Sequence, residues 1–330
     1  MTGAPQPWFA ERVPLGRSQA RVSRLGLGTA PLAGLYAPVD DAQAAEALAT
    51  AWEAGISYFD TAPHYGAGLA ERRLGSFLGQ QSASGDEFSI STKVGRLLVP
   101  GRCEDGTDGF YGAPPDVVRV HDYTPEGVYR SLAESLERSG LDSFGILLIH
   151  DPDDHWEESV KGAYPALARL RDEGAVQAIG AGMNQTRMLT RFVTETDIDC
   201  VLVAGRYSLL ERGAEDDLLP ACVERQVGVI AGGVFNSGIL AAPAAGANYN
   251  YGPAPEGVLH RVRALDARCS AYGVPLAAAA LQFPLRHPGV TSVVVGARDA
   301  NQVTQNAAHA ATVIPEGLWD ELDAALEGEW

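Results

Sequence analysis

Eight short apolar runs, separated by segments that mostly read as helices, constrain this chain more than any other feature. They are residues 24–30 (RLGLGTA), 56–62 (ISYFDTA), 87–94 (EFSISTKV), 143–150 (SFGILLIH), 175–183 (AVQAIGAGM), 200–205 (CVLVAG), 227–233 (VGVIAGG) and 290–297 (VTSVVVGA). Most are unbroken rather than alternating, as a parallel strand covered on both faces reads. The helical segments carry start and stop signals. Asp40-Asp41 precede a run ending at Gly55, Thr124-Pro125 open one ending at Gly140, and SVKGAYPALARLRDEG and TRMLTRFVTET fill two further gaps. Repeated eight times, this alternation predicts a closed (β/α)8 TIM barrel, with a doubly wound open sheet as the alternative. A length of 330 residues without a repeat or a break in composition fits one barrel domain over 1–330.

Three stretches are too long for ordinary connections: the first 15 residues, 95–123 and 236–256. The last two follow strands three and seven and would stand over the C-terminal mouth, where barrel active sites lie. Trp8, Phe9, Phe110, Tyr111, Tyr249 and Tyr251 on these stretches either wall a substrate pocket or simply anchor the loops.

The formal charge of −17 argues against nucleic acid, whose binding needs many cations. Cys103, Cys200, Cys222 and Cys269 lack CxxC spacing, so neither a metal site nor a disulfide framework is expected. The N-terminus lacks a signal-peptide pattern and no 18-residue apolar run occurs, so a cytoplasmic protein without a membrane partner is expected.

Polar residues at the C-terminal ends of strands would point into the mouth: Asp60, the nearby Tyr65, Lys93, His150 and Asn184. Each alone has a structural reading, as a turn former, a cap or a packed ring. Together they read as chemistry. Lysine occurs only at 93 and 161. Lys161 falls on a helix surface, whereas Lys93 ends an apolar strand, where an ammonium needs a carboxylate. Asp60, ending the neighbouring strand, supplies one. A phenol ordinarily titrates near ~10, and a nearby ammonium is expected to lower that value so that Tyr65 exchanges protons. His150 would orient a substrate oxygen against it.

The stretches GLGTAPLAG (26–34), YFDTAPHYG (58–66), STKVGR (91–96), LLIHDPD (147–153), AIGAGMNQ (178–185) and GARDANQVTQN (296–306) resemble the aldo-keto reductases, in family order from about residue 20 onward. The resemblance implies a tetrad of Asp60, Tyr65, Lys93 and His150, and a nicotinamide cofactor bound without a Rossmann fold. GxGxxG is indeed absent. It further implies that Gly28, Thr29, Ala30 and Asp60 line the nicotinamide and that Asn184 bonds its carboxamide. Phe235, Asn236, Ser237, Gly238 and Ile239 would wrap the pyrophosphate. Gly296, Ala297, Arg298, Gln302, Gln305 and Asn306 would surround the adenosine at a helix N-terminus.

The chain departs from the family in places. Ala204 stands where many members carry glutamine, and Gly232 where many carry a stacking tyrosine, a ring that Phe235 would replace. Gly296 and Gln302 replace cations that hold a 2′-phosphate, which favours NAD, with NADP left open through Arg298. The GMNQ, HDPD, AGRYSLL and GGVFNSGIL segments are similar to the aldose dehydrogenase branch. That implies oxidation of an aldose of L-fucose or D-arabinose type at its anomeric hydroxyl to a lactone. Pyridoxal 4-oxidation, general NADPH-dependent carbonyl reduction, a non-catalytic redox-sensing subunit and a phosphosugar-binding barrel are the alternatives.

Overall fold

The computed structural model describes residues 6–81, 87–102, 109–244, 246–250 and 252–327. Eight parallel strands close a barrel in chain order: β1 (Leu25–Gly28), β2 (Tyr58–Asp60), β3 (Ser89–Val94), β4 (Ile146–His150), β5 (Ala178–Met183), β6 (Cys200–Ala204), β7 (Gly228–Gly232) and β8 (Val290–Gly296). The last pairs with the first through Val293↔Leu25. The open-sheet alternative is thereby excluded. Each strand lies inside its predicted run and is trimmed at one or both ends, because flanking apolar residues pack in the turns.

The helices are α1 (Asp41–Glu53), α2 (Leu69–Leu78), α3 (Pro125–Ser139), α4 (Tyr164–Asp172), α5 (Arg187–Glu195), α6 (Leu218–Arg225), α7 (Glu256–Ala271), α8 (Leu276–Gln282), α9 (Ala300–Ala311) and α10 (Glu316–Glu327). Asp40 caps α1 by accepting from the Gln43 amide, and Thr124 caps α3 by accepting from Gly127. Gly55 and Gly140 take the left-handed backbone past the ends of these two helices, as their placement predicts. No helix among the described residues is long and apolar enough to cross a membrane.

Period-two alternation sorts every strand. Leu25, Phe59, Ile90, Leu147, Ile179, Val201, Val229 and Val293 face outward and join the helices in the main core. Tyr58, Ile146, Leu148, Ala178, Cys200, Leu202, Ile230 and Val294 fill the interior. A hairpin that sequence patterning does not reveal, Arg12–Pro14 with Arg21–Ser23, sends Leu15, Ala20 and Val22 into this inner cluster. A second unforeseen hairpin, Arg96–Pro100 with Val117–His121, gives structure to much of the loop after β3. The loop after β7 likewise contains Asn248–Tyr249 paired with Gly252–Pro253.

The close approach of α2 and α3 depends on Gly75. A Cβ there would stand 1.9 Å from the Ser139 carbonyl oxygen, an atom that cannot rotate away. Gly75→Ala gains about 1 kcal/mol of helix propensity but forces the helices apart at a cost of about 1–3 kcal/mol or more. A thermal melt is expected to show Tm lowered by a few degrees. An unchanged or higher Tm would mean that the two helices separate freely.

Candidate active site

Strand alternation and register bring the site together. The last inward residues of β2, β3 and β4 are Asp60, Lys93 and His150, whereas those of β5 to β8 and β1 are Gly182, Ala204, Gly232, Gly296 and Gly28. One side of the mouth therefore carries the polar groups and the other is left open. At Gly182 and Gly232 packing does not require that openness, because a Cβ there would make only ordinary contacts, whereas at Gly296 it would stand 2.6 Å from Pro31 Cγ.

Lys93 is the centre of the polar side. Its buried Nζ donates to Asp60 (2.8 and 3.0 Å), to the Thr61 carbonyl (3.0 Å) and to the Tyr65 hydroxyl oxygen (2.9 Å). All three protons of the ammonium are thus directed. Ser91, also inward on β3, donates to Asp60 Oδ1 at 2.7 Å and lies 2.9 Å from the Tyr58 hydroxyl. The Asp60 carboxylate is consequently fixed from two sides. Because Tyr65 accepts from Lys93, its own phenolic proton is left to point into the cavity.

His150 completes the group, its ring centroid 6.0 Å from that of Tyr65. The Tyr123 hydroxyl donates to the His150 carbonyl at 2.8 Å and fixes the strand end. Burial, with Lys93 and Arg96 nearby, holds the His150 pKa well below the usual histidine value, so the ring is neutral. Its Nδ1 is buried without a partner, and Nε2 lies 3.5 Å from Asp151 Oδ2. The nearby carboxylate favours the single ring proton on Nε2 rather than on the unpartnered Nδ1. His64, its ring 5.7 Å from that of His150, is likewise kept neutral by burial and the surrounding cations, its pKa lowered to about 3.

The expected lowering of the Tyr65 pKa is not what the site produces. Burial raises it and outweighs the opposing pull of Lys93, leaving a value of about 12. Burial also works against the Lys93 ammonium, but Asp60 and Tyr65 overcome it and raise that pKa above the ordinary lysine value. The resting site is therefore a neutral phenol beside a permanent cation, poised to donate a proton and to stabilise the phenolate once formed.

These groups border a cavity of about 400 Å³, whose lining includes Ala30, Arg96, Phe110, Asp151, Asn184 and Ala204. Phe110 packs nearly parallel to Tyr65 at 6.1 Å. Among the described aromatic candidates only Phe110 lines this cavity. Trp8 donates to the Ala310 carbonyl on α9 and Phe9 belongs to the main core, so both anchor the N-terminal segment. Tyr111 is exposed, Tyr249 donates to Glu211, and Tyr251 lies outside the described residues, as does Cys103. Cys200, Cys222 and Cys269 are free and buried. No group of three potential metal ligands occurs among the described residues.

The cofactor candidates divide. Ala30 and Asn184 line the cavity, and the Asn184 side chain makes no hydrogen bond among the described residues, leaving its amide available for a carboxamide. Gly232 and Ala204 leave room for a flat ring, so the mouth fits a nicotinamide. Thr29, Asn236, Ile239 and Ala297 are buried instead. The Thr29 hydroxyl is spent on the Asp60 carbonyl, and the Asn236 side chain on Ser208 and the Gly205 carbonyl. Within the expected pyrophosphate wrap, the amides of Asn236, Gly238 and Ile239 already close local turns, at 2.9, 3.0 and 3.5 Å. Phe235 is half-buried against the main core and does not line the cavity, so it supplies no replacement ring there.

At the adenosine end, Gln302 accepts from the Arg298 amide, and Asp299 caps α9 by accepting from the Gln302 amide. The helix N-terminus thus already holds a carboxylate. Gly296 and Gln305 are exposed, and Arg298 and Asn306 are half-buried. Sequence reasoning did not identify Ser91, Arg96, Asp151 or His64 as site residues, although each lies within a motif it quoted.

Fold and site define a class: a (β/α)8-barrel oxidoreductase built around a phenol, a buried ammonium, a carboxylate and an imidazole. The chain belongs to the aldo/keto reductase family, whose model it matches over residues 24–327. It is 47% identical over 311 residues to a D-threo-aldose 1-dehydrogenase from Pseudomonas sp, covering 92% of this chain and 94% of that one. It is 39% identical to pyridoxal 4-dehydrogenase from Microbacterium luteolum, covering 95% and 96%. Among solved structures, a glycerol dehydrogenase from Gluconobacter oxydans shares the fold with a TM-score of 0.76, at 21% identity and 96% and 95% coverage.

Proposed function

We propose that the chain, acting as one barrel domain, oxidises the anomeric hydroxyl of a cyclic aldose to a lactone with NAD. The observation that carries this reading is the convergence of Tyr65, Lys93 and His150 on one cavity. The similarity to a D-threo-aldose 1-dehydrogenase supports an aldose as the substrate. In the oxidative direction Tyr65 first loses its phenolic proton to solvent, and the resulting phenolate, stabilised by Lys93 while Asp60 holds Lys93 in place, takes the C1 hydroxyl proton as the hydride leaves C1. His150 donates from Nε2 to the substrate oxygen and, being neutral, does not compete for the proton. A nicotinamide held by Ala30 and Asn184 beside the open half of the mouth supplies the hydride acceptor when bound. Asp299 favours NAD, because a 2′-phosphate would face a carboxylate already seated at the α9 N-terminus.

A spectrophotometric assay of NADH and NADPH formation with L-fucose, D-arabinose, L-galactose and pyridoxal tests this reading. NADH formation with at least one aldose is expected, with kcat/KM at least about tenfold above that with NADP, the scale of one lost charge-assisted contact. Turnover of pyridoxal alone, or only NADPH-dependent carbonyl reduction, would replace it. Tight cofactor binding with no turnover at all would point to the redox-sensing subunit.

A further inference from the structure

Arg96 and Asp151 form a charge pair inside the cavity, of which the tetrad chemistry uses only the pull of Asp151 on the His150 ring proton. Arg96 Nη2 donates to Asp151 Oδ2 at 2.8 Å, and both side chains are about four-fifths buried, with relative exposures of 19% and 21%. Three features set this pair apart from an ordinary brace. Asp151 is not glycine yet holds a left-handed backbone, φ +38°, directly after the catalytic-strand histidine, a conformation that disfavours a side chain. Arg96 Nε is buried without a partner. Asp151 directs only Oδ2 at Arg96 and His150, and Oδ1 makes no hydrogen bond among the described residues. The pair thus brings donors and an acceptor to a wall beside Tyr65 and His150.

We infer that Arg96 and Asp151 read the hydroxyl groups next to the reacting carbon, so that the site selects neutral polyhydroxylated lactols and rejects anionic ones. This rests on the aldose reading above. With C1 held between Tyr65 and His150, the adjoining hydroxyls come within reach of Asp151, which accepts, and Arg96, which donates. A vicinal diol matches such a pair. An apolar ring would leave both charges desolvated and unanswered. A carboxylate on the sugar would meet Asp151, while the Arg96 cation that would otherwise attract it is already neutralised.

The test compares two lactols oxidised by the same reaction at the same position: an aldopyranose such as L-fucose or D-arabinose, and 2-hydroxytetrahydropyran, which lacks the other ring hydroxyls. Wild type is expected to favour the aldose in kcat/KM by about 100-fold or more, as sites built to bond a hydroxyl do. Arg96→Met retains the stem, and Asp151→Gly suits the left-handed backbone, so the two variants probe the pair from different elements. Each is expected to cut that preference at least about tenfold, mainly through KM for the aldose. Asp151→Asn, which leaves Arg96 uncompensated, is expected to gain on D-glucuronate relative to the neutral aldose. A wild type without preference, or a preference kept within threefold in both variants, would overturn the inference. So would equal losses on glucuronate and aldose in Asp151→Asn. If wild type oxidises neither lactol, the aldose reading itself has failed, and this inference with it.

Discussion

Tyr65→Phe is expected to lower kcat by about a thousandfold or more while leaving cofactor affinity within about threefold of wild type. The substitution removes one oxygen and keeps the ring against Phe110. Lys93 loses one of its acceptors but keeps Asp60 and the Thr61 carbonyl. No group that lines the cofactor side of the mouth is disturbed, so quenching of protein fluorescence by the nicotinamide should titrate as in wild type. Only proton transfer is lost. The wild-type pH profile provides an independent check, since the Tyr65 pKa of about 12 lies far above neutrality. In the oxidative direction log kcat/KM should climb with pH across the neutral and alkaline range. It should show no inflection near 6.5, because His64 and His150 are already neutral there. A variant retaining a tenth of wild-type turnover, or a profile that breaks at a histidine pKa, would remove Tyr65 from its assigned role.

Much of this was legible in the sequence, and what was not has identifiable causes. The eight strands were readable because burial on both faces demands continuous apolar runs such as ILLI and VLVA, which few other structures need. Asp60, Lys93 and His150 were readable because an ionisable group ending such a run has no inexpensive structural explanation. The hairpin around Leu15 was hidden because its strands are three residues long, and its apolar side chains belong to an interior that exists only once the barrel has closed. The Tyr65 pKa was misjudged for a related reason. Proximity to Lys93 can be argued from strand ends, but desolvation depends on everything packed around the phenol. Arg96 and Asp151 went unread because their meeting depends on the turn out of β3 and on a left-handed residue after β4, and an aspartate gives no sign of the latter. Thr29 and Asn236 show the opposite error, since matching a family position does not reveal that a side chain is already engaged elsewhere.

Lys93→Met is expected to cost both stability and activity, and the stability loss is the more diagnostic. Methionine fills similar space, but it leaves the Asp60 carboxylate buried with Ser91 as its remaining side-chain donor. Breaking a buried pair from one side costs about 3–5 kcal/mol, because the other charge stays uncompensated. Turnover should fall at least about a thousandfold, since the phenolate loses its counter-ion. The pH dependence of the stability gap follows from the shift at Lys93. Its folded pKa lies above its unfolded value, so its contribution is fully present below the unfolded value and is lost only as pH rises through the folded one. The gap between wild type and variant in denaturant melts should therefore stay constant from about pH 6 to 9 and narrow only above ~10.4, the ordinary lysine value. Adding Asp60→Asn to Lys93→Met removes the stranded charge, and should restore much of the stability without restoring turnover. If Lys93→Met melts like wild type, the ammonium is not holding the carboxylate, and the site loses the group on which both Tyr65 and Asp60 depend.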